Sequence, residues 1–120
     1  MPKVLFFFLF LGLFPLPLAA QTASFTLDRN FFLAAPGAAV TTTFTADYSG
    51  KGTLAVYNTA GEIIETLFPA NSGNQVNANQ TYTVSWDGKN TAGKNVASGV
   101  YIFRLNLNLG SYEKRLIVLQ

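Results

Sequence analysis

No cysteine and no histidine occur among the 120 residues of this chain. Without cysteine there are no disulfides, no thiol nucleophile and no lipid-modified N-terminal Cys. Without either residue the usual ligand sets for zinc, copper and haem are gone. The commonest general base near neutral pH is gone with them. Charge is scarce too, at 12% of residues, against ~25% in a typical soluble domain. Eight Lys and Arg stand against six Asp and Glu. So balanced a set builds neither a basic face for nucleic acid nor an acidic tail. The composition points away from catalysis, and no cofactor or metal is expected.

The apolar excess is concentrated at the start. Met1-Pro2-Lys3 is followed by an unbroken apolar run from Val4 to Leu18 and then by Ala19-Ala20-Gln21. A basic start, a short apolar core and small residues before a polar one read as a Sec-type signal peptide, residues 1–20, cut after Ala20. Crossing a bilayer takes ~20 apolar residues; this run has fifteen, with Pro15 and Pro17 at its far end. The expectation is export to the periplasm, the cell surface or the medium, with no stable membrane span after cleavage. The mature part, residues 21–120, must then fold by packing alone, which one core allows at that length.

From Gln21 onward no helical period is sustained. Alternation over five to nine residues recurs instead, broken by Gly, Asn, Pro and Asp clusters. The first expected strand is Ser24–Leu33, with Phe25, Leu27, Phe31 and Leu33 on one face. In the second, Val40, Thr42, Phe44, Ala46 and Tyr48 alternate with Thr41, Thr43, Thr45 and Asp47. Thr53–Tyr57 and Ile63–Phe68 follow, joined by a hairpin loop in which Gly61 takes a positive φ. A polar stretch over 70–80 precedes Thr81–Trp86, whose inward side chains are Tyr82, Val84 and Trp86. A long loop over Asp87–Gly99 leads to Val100–Leu107 and Tyr112–Leu119. Seven short strands in about 100 residues, with turns at short intervals, predict an immunoglobulin-like, fibronectin III-like β-sandwich. A small β-barrel is the alternative.

Two stretches carry a family resemblance. Val56-Tyr57-Asn58-Thr59-Ala60-Gly61-Glu62-Ile63-Ile64-Glu65-Thr66-Leu67 resembles a hairpin of the Ig-like domain in FlgD, the bacterial flagellar hook-capping protein. The run from Trp86-Asp87-Gly88 through Gly93, Val96 and Gly99 to Tyr101 is similar to the same family's longer signature. Similar modules close many secreted bacterial proteins, including sorting-type domains. Where the family carries Asn-Pro-Phe, this chain has Asn30-Phe31-Phe32. The resemblance implies the same fold and a structural role for the signature residues. Hook capping is not expected, since the chain opens on a Sec-type leader.

The physical reading of the signature agrees. Trp86 ends an inward-facing strand and can anchor one rim of the sandwich. Asp87-Gly88 permits a sharp departure, Gly93 and Gly99 are expected at positive φ, and Val96 tucks under the loop. Asp87, Asn90 and Asn95 offer oxygens within one loop, but they lack the spacing of a calcium loop and read as turn residues. Glu62 and Glu65 read as a solvated strand face, not as a hydrolytic pair. Lys114 and Arg115 with Lys51 make at most a small basic spot.

The leading expectation is a non-enzymatic interaction module that meets an unidentified protein partner at the cell surface or in the periplasm. Its proposed docking edge is Leu116, Ile117, Val118 and Leu119, or likewise the apolar end of the first strand, Phe31-Phe32-Leu33, acting by strand addition. The alternative is a carbohydrate-binding or adhesion module that stacks sugars on exposed aromatics such as Tyr57 or Tyr112.

Overall fold

The computed structural model describes residues 23–69 and 73–120. The expected signal peptide lies outside the described residues. Wherever β-branched and aromatic residues alternate with polar ones, the chain is extended. Ten strands result among the described residues: β1 Ser24–Leu27, β2 Phe31–Leu33, β3 Val40–Thr45, β4 Gly50–Lys51, β5 Thr53–Tyr57, β6 Ile63–Phe68, β7 Gln75–Val76, β8 Thr81–Trp86, β9 Gly99–Leu107 and β10 Gly110–Leu119. They form a three-stranded sheet, β1-β3-β8, facing a five-stranded sheet, β2-β10-β9-β5-β6, with β4 and β7 as a small clasp. Among these strands all pairings are antiparallel except β2 with β10. This is the Ig-like sandwich.

The period of two decides which side chains enter the core. Val40, Thr42, Phe44 and Ala46 are fully buried, as are Leu54 and Val56; Tyr101, Phe103, Leu105 and Leu107 line the same interior from β9. Each such Val, Leu or Phe contributes ~1.5–3 kcal/mol when fully buried. Thr42 is the one buried polar side chain among the described residues, and its hydroxyl donates to the Thr26 carbonyl at 3.0 Å. Two aromatic groups close the ends. Trp86 packs against Phe32, Tyr101 and Phe103 at one end. Phe44, Phe68 and Tyr82 pack together at the other, with Phe44 stacked on Tyr82 at 5.1 Å. The outer face of the small sheet is a hydroxyl array, where Thr45 meets Thr81 and Thr43 meets Thr83.

Several expectations are corrected. Ser24–Leu33 is not one strand but two, β1 in the small sheet and β2 in the large one. The chain changes sheets across Asp28-Arg29-Asn30, where the Asp28 carboxylate accepts the Thr41 N–H. The switch inverts the alternation: Phe32 is buried, and Phe31 and Leu33 face outward. Tyr48 is exposed because β3 ends at Thr45 and the Asp47 carboxylate turns the chain by accepting the Tyr48 N–H. The polar stretch over 70–80 includes a short strand, since Val76 is buried and β7 pairs with β4.

Candidate contact surfaces

The signature loop is held by its own backbone. The Trp86 indole N–H donates to the Lys89 carbonyl at 2.8 Å, and Trp86 is only 1% exposed. The Asp87 carboxylate accepts the Lys89 N–H, which spends an oxygen on the turn. Gly88 takes φ +83° against the Phe32 ring. Gly93 is also left-handed at φ +80°. Gly99 is a correction: it is absent from the left-handed residues and instead opens β9 opposite Val118. Val96 is buried beneath the loop, and the Tyr101 hydroxyl donates to the Ala97 carbonyl at 2.7 Å. Burial raises the Tyr101 phenol above its ordinary value.

A repeat unseen in the sequence reading explains two turns at once. Asn58-Thr59-Ala60-Gly61 and Asn90-Thr91-Ala92-Gly93 are the same four residues. In each, the Asn side-chain oxygen accepts the N–H groups two and four residues on. In each, the Gly N–H returns to the Asn carbonyl, and the glycine is left-handed. The second copy reaches across the molecule. Thr91 donates both its N–H and its hydroxyl to the Ile64 carbonyl, so the signature loop covers part of the β6 edge. Its hydroxyl also lies 3.2 Å from the Glu65 carboxylate, and Glu62 accepts from the Asn58 amide at 2.7 Å. The two glutamates therefore serve separate turn contacts.

Leu116–Leu119, expected as a docking edge, does not form one, whereas β2, the other expected segment, is the outer strand of its sheet. Leu116–Leu119 lies between β9 and β2, and Ile117, Val118 and Leu119 pair with Phe31, Phe32 and Leu33. Leu116 and Val118 are buried in the core. Ile117 and Leu119 point outward, and register makes them part of something larger. Val100 pairs with Ile117, and Ile117 with Phe31, so these three stand in one row across β9, β10 and β2. Leu119 and Leu33 form the next row. Their exposures are 39% for Val100, 47% for Ile117, 48% for Phe31, 41% for Leu119 and 62% for Leu33. Contiguous apolar side chains on a sheet face are a contact surface in waiting. Val100 was not singled out for it in the sequence, and Phe31 and Leu33 were expected only as the apolar end of a first strand that docks by its edge. The signal was the parity change after Asn30.

The aromatics proposed as sugar platforms are engaged elsewhere. The Arg104 guanidinium covers the Tyr57 ring, 4.9 Å from its centroid, and itself pairs with Glu113. Tyr112 packs against the core. Lys51 sits on β4, apart from Lys114 and Arg115; the cation that joins those two is Arg29, at the break between β1 and β2. Among the described residues, no group of three acidic or other metal-ligating side chains converges. No helix there is long and apolar enough to cross a membrane.

A three-on-five sandwich with a Trp-anchored glycine loop defines an Ig-like module. Residues 34–111 match the FlgD Ig-like domain, and the chain belongs to that family. No curated protein matches it. Two solved structures from Porphyromonas gingivalis share the fold. One is PorZ, an essential bacterial surface component of the type-IX secretion system, with a TM-score of 0.53 and 20% identity over 80% of this chain. The other is dimeric latent PorU, with a TM-score of 0.58 and 17% identity over 81% of this chain. The match spans 11% and 9% of those longer chains.

Proposed function

We propose that this protein is an exported, non-catalytic Ig-like contact module that binds an apolar surface of a protein partner at the cell envelope or outside the cell. The observation that carries the reading is the pair of apolar rows, Val100–Ile117–Phe31 and Leu119–Leu33, on the outer face of the five-stranded sheet. Leaving such side chains in water forfeits burial free energy, ~25 cal/mol per Å² of apolar area; a partner surface recovers it. The likeness to a surface component of a secretion system supports an envelope setting. The leader over residues 1–20 supports export, with the mature protein starting at Gln21 and no membrane span remaining.

The test is recovery of partners from intact cells that export the tagged chain. Ile117→Lys and Leu33→Glu place charge in the rows without touching the core, and Thr83→Lys does the same on the opposite sheet. The first two variants should melt near the parent temperature and lose the co-purifying protein; the third should keep it. An unchanged set of partners in all three would overturn the reading. The mass of the recovered chain checks the cut after Ala20.

A further inference from the structure

β2 covers only the end of β10. It pairs with Ile117, Val118 and Leu119, and the contact stops where the Asn30 carbonyl accepts the Ile117 N–H at 3.0 Å. Before Asn30 the chain belongs to the other sheet. Among the described residues, no strand pairs with Gly110–Leu116 on that side. Successive residues of a strand aim their backbone groups to opposite sides. The Ile117 N–H and the Leu119 carbonyl, which accepts from Ala34, both face the β2 side. By alternation Ser111, Glu113 and Arg115 therefore aim their N–H and C=O groups into the lane that β2 leaves empty.

The walls of that lane are cationic. A groove of about 460 Å³ beside it is lined by Thr26, Leu27, Arg29, Asn30, Lys114 and Arg115. Arg29 is held by Asp28 at 3.1 Å. Lys114 and Arg115 have no ion-pair partner among the described residues. A lysine at an open edge discourages apolar strands and copies of the same edge. Toward a carboxylate-bearing strand the same lysine is attractive.

We propose that this lane takes an acidic, extended segment of another protein as an added strand beside Ser111–Arg115, in line with β2. Main-chain hydrogen bonds would supply affinity, and Lys114, Arg115 and Arg29 the selection for acidic side chains. The proposal shares with the contact reading only a protein ligand; it uses a different surface and fails or stands separately.

The experiment is an NMR titration of the full chain with a blocked synthetic peptide alternating Thr and Glu. The comparison probes are the same peptide with Lys for Glu, inorganic polyphosphate, and vesicles with anionic headgroups. The acidic peptide should slow amide exchange at Ser111, Glu113 and Arg115 by about tenfold or more, as a bound strand does. The Lys peptide should not. Lys114→Glu with Arg115→Glu should weaken binding by about tenfold or more. Glu113→Pro removes an N–H from the lane and also an acidic charge, so simple ionic attraction predicts tighter binding and strand addition predicts its loss. Melting curves confirm that the variants fold; if the proline variant does not, exchange in the parent decides. Equal protection by polyphosphate or vesicles, unchanged exchange at the three amides, or full binding to a folded Glu113→Pro protein would overturn the proposal. Loss of partners in Ile117→Lys with no peptide effect would reject this proposal and leave the apolar-face reading standing.

Discussion

A Cβ placed on Gly88 would lie 2.9 Å from Cε2 of Phe32. The tight turn after Trp86 thus fits closely against β2, with Phe32 fully buried. Gly93 has the same left-handed backbone, but nothing lies within 4 Å of its added Cβ. Gly93→Ala therefore carries only the left-handed cost, ~1–2 kcal/mol. Gly88→Ala adds overpacking and should cost about 2–4 kcal/mol. Denaturant midpoints of the two variants measure the difference; equal midpoints would mean that Phe32 moves aside freely.

Trp86 is the only tryptophan and is buried, so its emission reports the core directly. It should be blue-shifted in the folded chain and move to the red on unfolding, in one transition with circular dichroism. Trp86→Ala should cost ~3–5 kcal/mol. Trp86→Phe, which keeps a ring but loses the bond to Lys89, should cost less.

The two Asn-Thr-Ala-Gly turns predict matched effects. Asn58→Ala and Asn90→Ala each leave two backbone N–H groups without their acceptor. Each should lose about 1–2 kcal/mol. Asn90→Asp should retain most of the stability, because the accepting oxygen remains, whereas Asn58→Asp should retain less, because it sets a second carboxylate against Glu62. Amide exchange at Ala60 and Glu62 should quicken in the first variant, and at Ala92 and Lys94 in the second.

Stability should change with pH at both extremes. Burial raises the Tyr101 phenol above its ordinary 10.0. Its contribution is present in full below about pH 10 and declines as pH rises through the folded value, since the unfolded chain ionises first. Tyr101→Phe should flatten that alkaline decline. At the acid end, the Arg29 side chain and the Thr41 N–H hold Asp28 below its ordinary 3.8. Its contribution is present above about pH 4 and is lost as pH falls through the lowered value. Asp28 and Arg29 are both exposed, so the acid effect should shrink in high salt.

Legibility in the sequence tracked how local the cause was. Val40–Ala46 and Val100–Leu107 could be read because one face of each is apolar at a strict period of two. Trp86 and the left-handed Gly61 and Gly93 were equally local. Ser24–Leu33 misled because two apolar runs of opposite parity adjoin, and counting by twos cannot register a change of sheet. Gly99 misled because a glycine at a loop end looks the same whether it turns or opens a strand. The apolar rows needed cross-strand register: Phe31, Ile117 and Val100 are far apart in sequence and meet only once β2 is parallel to β10. The repeated Asn-Thr-Ala-Gly was plainly written, but its common hydrogen-bond pattern required the fold.

The most direct test of the contact reading is site-specific photocrosslinking in living cells that export the chain. A photoreactive residue at Leu33 or at Ile117 should give a discrete protein adduct, and the same residue at Thr43, on the outer face of the opposite sheet, should give none. Adducts from Thr43 alone, or equally from both faces, would contradict the account.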